Sequence, residues 1–225
     1  MGKCVIVCAG EPCRLESLPE FSVEEGDYVI CADGGLDFAL AQGLPIHLVV
    51  GDFDSSACTQ SQAKALGLPV YEVPSEKDDT DTMLAIKTGL ERGYRDFLLY
   101  GCLGGRLDHA YANLQALTFL ARRGASGWLL GEGLAVTAIR NGRLDFAPEH
   151  EGVISVFCPD GEARGVTLTG LHYPLRNAVL TSAFPLGVSN RFTGEAASVS
   201  VEDGTLLIMW DIKEGQLPEQ LAKRR

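Results

Sequence analysis

Through its first 130 residues the chain alternates short apolar runs with helical patterns, and few folds accommodate that rhythm. Strand-like runs fall at 4–9, 28–32, 48–50, 70–73, 96–100 and 128–130, and helical spacing at 36–42, 60–66, 81–89 and 107–123. The last is the clearest, with Leu107, Ala110, Tyr111, Leu114, Leu117 and Ala121 on one face. Strands separated by helices pair in parallel, so a mainly parallel, Rossmann-like α/β sheet with helices on both faces is expected. After residue 133 the texture changes to short strand-like runs at 135–139, 153–157, 165–169, 178–181, 198–201 and 206–210. Turns of Gly, Pro, Asn and Asp separate them, which predicts a smaller antiparallel β-sandwich or barrel. The expected domains are therefore 1–132 and 133–225, divided in the glycine-rich stretch Gly131-Glu132-Gly133, with a polar helical tail at 216–225.

In open α/β sheets the carboxyl ends of the strands are where ligands bind, and here those ends are rich in acids. Leu48-Val49-Val50 runs into Gly51-Asp52-Phe53-Asp54-Ser55, placing two carboxylates one residue apart and on one side of an extended segment. Asp33 follows the second strand and is followed by Gly34-Gly35; Asp78, Asp79 and Asp81 follow the fourth; Asp108 follows the fifth. Each has a plainer reading. Asp33 can open a turn, Asp78, Thr80 and Asp81 can cap a helix, and Asp108 can offset a macrodipole. Four acid-bearing loops at one edge are harder to explain singly, because clustered carboxylates repel unless a cation such as Mg²⁺ joins them.

Glycines and cations complement these acids. Gly34-Gly35 and Gly104-Gly105 sit between a strand and a helix, where backbone N–H groups can approach a phosphate. Arg106 offers a bidentate fork and Lys77 a point charge, against the ordinary alternative of solvated surface cations. Neither a P-loop nor a G-x-G-x-x-G fingerprint is present, so a nucleotide site here is of another design. His109 sits at a helix start and is assigned no catalysis; His47, His150 and His172 have no ligand spacing.

The remaining features narrow the class. A net charge of −11 argues against a general nucleic-acid binder, whose footprint is basic. Seven cysteines without paired spacing read as small buried hydrophobes in a reducing cytoplasm rather than a zinc site or a disulfide framework. No apolar run approaches 18 residues, so no membrane span is expected. The run at 4–9 reads as a strand, not a signal segment, and Ile6 breaks the Gly2 myristoylation pattern.

Taken in order, Ala32-Asp33-Gly34-Gly35, Gly51-Asp52-Phe53-Asp54-Ser55, Asp78-x-Thr80-Asp81, Gly104-Gly105-Arg106-x-Asp108-His109 and Val188-Ser189-Asn190 resemble the thiamine pyrophosphokinase family across residues 28 to 213. The resemblance implies an α/β ATP- and Mg²⁺-binding domain followed by a thiamine-binding β-sandwich, in a homodimer with active sites between subunits. It implies diphosphate transfer from ATP to the hydroxyethyl group of thiamine, giving thiamine diphosphate and AMP. Carried over by position, Asp52, Asp54 and Asp81 are the catalytic and metal-binding acids. Asp33, Gly34, Gly35, Lys77, Asp78, Thr80, Gly104, Gly105, Arg106 and Asp108 bind ATP. Tyr173 stands in Gly170-Leu171-His172-Tyr173-Pro174-Leu175, where many relatives have Trp, and would stack on thiamine, with Ser189 and Asn190 on its pyrimidine edge.

Three alternatives carry different chemistry. An aspartyl-phosphate phosphatase would use Asp52 as nucleophile and Asp54 as acid–base, but that family has Thr or Val where Ser56 stands. A pterin pyrophosphokinase would make the same transfer to another alcohol. A non-catalytic nucleotide or thiamine sensor would be marked by a missing acid, and none of the five principal aspartates is missing.

Overall fold

The computed structural model describes residues 2–8, 10, 23–53, 56–72, 78–131 and 133–212. The tail at 216–225 lies outside them. Two compact units are present: described residues up to Ala116 with Leu129–Gly131, and Leu117–Trp128 with the described residues from Gly133 onward.

In the first unit, β1 (Cys4–Val7), β2 (Tyr28–Ala32), β3 (Leu48–Gly51), β4 (Val70–Glu72) and β5 (Asp96–Tyr100) stand side by side in the order β5-β1-β2-β3-β4. Every pairing among them is parallel. All four residues of β1 and the last four of β2 and β5 are buried, as strands covered on both faces must be. The intervening helices are α1 (Gly35–Ala41), α2 (Gln60–Ala65), α3 (Asp81–Glu91) and α4 (Leu107–Arg122).

Local chemistry sets where these helices begin. Thr59 and Gln62 form a reciprocal capping box at α2, the Thr59 hydroxyl accepting from the Gln62 N–H and the Gln62 side chain from the Thr59 N–H at 2.8 Å. Thr80 caps α3 by accepting the Met83 N–H at 3.2 Å. Helix α1 passes so near β1 that a Cβ on Gly35 would lie 2.1 Å from the Val7 carbonyl oxygen, so only glycine fits. The observed helices end within two residues of the sequence expectation.

The second unit is a β-sandwich of β7 (Leu134–Arg140), β8 (Arg143–Phe146), β9 (Val153–Phe157), β10 (Glu162–Thr169), β11 (Leu175–Thr181), β12 (Gly187–Arg191), β13 (Ala197–Ser200) and β14 (Thr205–Asp211). One layer runs β12-β9-β14-β7 and the other β11-β10-β13-β8, with every pairing antiparallel. Strand β6 (Ser126–Gly131) and helix α4 each contribute residues to both units. Aromatic edges fill the space between the layers: Phe146 meets Trp210 at 5.3 Å and Phe192 at 5.2 Å, and Trp128 meets Trp210 at 6.0 Å between ring centroids. Strands β8 and β12 escape the sequence reading because they are short and polar, Arg-Leu-Asp-Phe and Gly-Val-Ser-Asn-Arg. Among the described residues no helix is long and apolar enough to cross a membrane.

Candidate active site

The parallel register brings the acid-bearing loops to one edge of the first unit. Ala32 lies opposite Val50, so Asp33, one residue past β2, and Asp52, one residue past β3, emerge side by side. The Asp33 backbone is left-handed, with φ 49°, a conformation aspartate tolerates, and its N–H donates to the Val50 carbonyl at 2.9 Å. Asp52 is half-buried. Asp54 and Lys77 lie outside the described residues.

The first turn of α3 reaches the same edge from the other side. Thr82 Oγ1 is 3.3 Å from Cys8 Sγ, just past β1, so Asp81 begins a helix docked at that strand's carboxyl end. Asp81 is half-buried and Asp78 exposed, while Asp79 is held in an ion pair with Lys87 at 2.5 Å. The Thr80 hydroxyl serves as the helix cap, so the capping role and the expected ATP-binding role fall on one side chain.

After β5 the chain crosses in front of β1, with the Gly10 N–H donating to the Gly101 carbonyl at 2.7 Å. Gly104 and Gly105 are exposed and left-handed, with φ 85° and 63°, so glycine is set here by the turn itself. Arg106 Nε and Nη2 donate to the two oxygens of Asp108 at 3.1 and 2.6 Å. This fork, with the His109 N–H, holds the Asp108 carboxyl below its usual range and raises the Arg106 guanidinium further. Both side chains are exposed, so their pairing leaves Arg106 exchangeable between Asp108 and a competing oxyanion. Of the glycine pairs, Gly35 is consumed in packing against β1, whereas Gly104-Gly105 faces solvent.

Two residues that sequence reasoning passed over hold these loops. Asn113 on α4 is buried and donates from Nδ2 to the Cys102 carbonyl at 2.8 Å, tying the Gly101–Asp108 loop to its helix. Asp37 on α1 accepts from Ser56 Oγ and from the Ala57 and Cys58 N–H groups. A polar residue inside an apolar helix face is the only sequence signal for Asn113; Asp37 reads as an ordinary first-turn acid.

In the second unit Tyr173 is 61% exposed, and its backbone is fixed by Asn190. Asn190 Oδ1 accepts the N–H groups of Tyr173 and Arg191, both at 2.9 Å, and Nδ2 donates to the Tyr173 carbonyl at 2.7 Å. With Asn190 2% exposed, that amide is spent on holding the Tyr173 segment against β12. Ser189 is exposed and left-handed, φ 58°, its N–H bonded to Ser155 Oγ. A cleft of about 210 Å³ opens beside these residues, lined by Leu168, Tyr173, Leu175, Leu186, Val188 and Asn190 among others. An aromatic wall, aliphatic sides and few polar groups suit a small heteroaromatic molecule.

Residues 21–127 match the model of the thiamin pyrophosphokinase catalytic domain, and residues 143–206 that of the thiamin pyrophosphokinase vitamin B1 binding domain. The chain is 28% identical over 211 residues to the thiamine pyrophosphokinase of Bacillus subtilis, covering 92% of this chain and 98% of the relative. The crystal structure of thiamine pyrophosphokinase from that organism aligns with a TM-score of 0.78, covering 93% of this chain and 98% of the other. That of thiamin pyrophosphokinase from Geobacillus thermodenitrificans aligns at 26% identity with a TM-score of 0.76, covering 96% and 100%.

Proposed function

Since the chain belongs to the thiamin pyrophosphokinase family, we infer that it forms thiamine diphosphate from thiamine and ATP. The observation that carries this reading is the meeting of Asp33, Asp52 and the first turn of α3 at one carboxyl-terminal sheet edge, in a chain whose second unit matches a vitamin B1 binding domain. In our reading residues 1–132 bind ATP and 133–225 bind thiamine.

Asp52, Asp54 and Asp81 offer only carboxylate oxygens, the donor chemistry a hard cation such as Mg²⁺ prefers. Among the described residues no three acidic, histidine or cysteine side chains are gathered as a preformed metal site. A Mg²⁺ ion would be held by Asp52, Asp54 and Asp81 together with substrate phosphates. Such an ion supplies neutralisation of triphosphate charge.

The chain's own residues bind, orient and move a proton. Arg106, now held by Asp108, turns its fork to a phosphate oxygen, while Asp108 keeps it poised between turnovers. The left-handed Gly104-Gly105 turn admits backbone close to the phosphates, with Asp33, Gly34, Gly35, Asp78, Thr80 and Lys77 completing the ATP site. Tyr173 stacks on thiamine at the cleft, with Ser189 at its pyrimidine edge; the bound state of Asn190 gives it the task of holding Tyr173. The thiamine hydroxyl oxygen then bonds to the β-phosphorus as the bond from that phosphorus to the α-phosphate oxygen breaks. AMP leaves with the electron pair, and the hydroxyl proton passes to a carboxylate, Asp54 or Asp81.

The family likeness leads us to infer a homodimer with active sites between subunits. Six described cysteines are free thiols. Incubation with thiamine, ATP and Mg²⁺, followed by chromatography of AMP and thiamine diphosphate, tests the reading. Equal amounts of both products support it; inorganic phosphate alone, or binding without turnover, refutes it.

A further inference from the structure

We propose that Asn113 is a positioning residue for the Gly104-Gly105-Arg106 turn: its buried amide ties the chain at Cys102 to helix α4, and so helps fix where the backbone N–H groups and the guanidinium that meet ATP stand. The inference rests on the function proposed above for that turn.

Asn113 stands in the second turn of α4, on a helix face where Ala116, Leu117 and Leu120 are buried with it. Asparagine is a weak helix former, because its amide competes for nearby backbone, and burying an amide is costly unless it is hydrogen-bonded. Alanine or leucine would serve the helix better. Here Nδ2 reaches out of the helix and donates to the Cys102 carbonyl at 2.8 Å, eleven residues back in the chain. Cys102 is itself buried, and a buried carbonyl needs a donor. The amide therefore serves the loop, at some cost to the helix.

The chain on either side of that bond is closely built. The Gly101 carbonyl accepts the Gly10 N–H at 2.7 Å, and a Cβ on Gly10 would lie 2.4 Å from that oxygen and 2.6 Å from the Leu103 carbonyl oxygen. Residues 101–103 are thus laid against the chain past β1. Beyond Leu103 the backbone turns through left-handed Gly104 and Gly105, and the Arg106 carbonyl opens α4 by accepting the Ala110 N–H at 3.1 Å. Two glycines give a turn a wide choice of backbone conformations. Fixing the ends narrows that choice, and Asn113 ties the first end to the helix that carries the second.

The test is a double-mutant cycle of Asn113→Asp with Gly105→Ala, read as Mg²⁺·ATP affinity by calorimetry. Asn113→Asp keeps the shape of the side chain but sets an acceptor against the Cys102 carbonyl, while Gly105→Ala strains the turn itself at its φ of 63°. Each single change should weaken Mg²⁺·ATP binding about tenfold, and the pair little beyond either alone, because both displace one turn. KM for thiamine should stay put. If Asn113→Asp does not fold, Asn113→Ala, a strong helix former, takes its place in the cycle. Trypsin gives a readout independent of nucleotide: cleavage after Arg106, identified by mass, should be faster in Asn113→Asp than in wild type. A merely structural role would lower the melting temperature and leave both readouts of the folded protein unchanged. Unchanged affinity or unchanged cleavage in the folded Asn113 variant overturns the proposal, as do effects of the two changes that add in full. A wild type that binds Mg²⁺·ATP but forms no thiamine diphosphate refutes the proposed transfer alone, and the cycle still decides the role of Asn113.

Discussion

Replacing Asn190 by alanine should destabilise the β-sandwich far more than its position beside a cleft suggests. The side chain is 2% exposed and makes three hydrogen bonds to backbone: two N–H groups at 2.9 Å and the Tyr173 carbonyl at 2.7 Å. Each bond is worth about 1 kcal/mol net, and truncation leaves its partners short of a bond in a partly buried setting, so the loss should reach about 3 kcal/mol. Both tryptophans of the chain, Trp128 and Trp210, are buried in the second unit, so their fluorescence reports that unit's unfolding. With a urea dependence of about 1–3 kcal/mol/M, the midpoint should fall by roughly 1–3 M. Asn190→Asp keeps an acceptor for the two N–H groups but loses the donor to Tyr173, and should fall between. A midpoint for Asn190→Ala within about 0.2 M of wild type would refute the claim that this amide holds the Tyr173 segment.

Tyr173→Ala, by contrast, removes a ring already 61% exposed, so stability should change by no more than about 0.5 kcal/mol while KM for thiamine rises roughly tenfold; Tyr173→Trp should restore or improve it. Burial pushes the Cys4 and Cys31 thiols up to about 12, above the 9.0 of an exposed thiol. The unfolded chain then releases those protons first, so their contribution is full below pH 9.0 and is lost as pH rises towards about 12. Stability measured by urea titration should fall over that window, and Cys4→Ala with Cys31→Ala should flatten the fall.

The first unit was legible because its central strands β1, β2 and β5 are buried on both faces and almost wholly apolar; Tyr28–Ala32 and Asp96–Tyr100 stand where the periodicity puts them. The sandwich was legible only in part. Strand β8 alternates exposed Arg143 and Asp145 with buried Leu144 and Phe146 but is only four residues long, and β12 has an irregular register around Ser189, so neither gives a sustained pattern. At the site, two residues stand in settings that residue type alone does not suggest. Gly35 reads as a phosphate-facing glycine, yet the contact that requires it is the Val7 carbonyl. Asn190 reads as a ligand contact, yet its bonds run to its own backbone neighbours. Asp37 and Asn113 act across long sequence separations, which local pattern cannot reveal.

The central claim, that the acids past β3 handle the phosphates of ATP for transfer to thiamine, is tested most directly by Asp52→Ala. Wild type should release AMP and thiamine diphosphate in equal amounts, and only with a divalent cation present. Asp52→Ala should lose at least about a hundredfold in rate, with its tryptophan-detected unfolding unchanged. Retention of wild-type turnover by the folded Asp52→Ala protein would contradict the account.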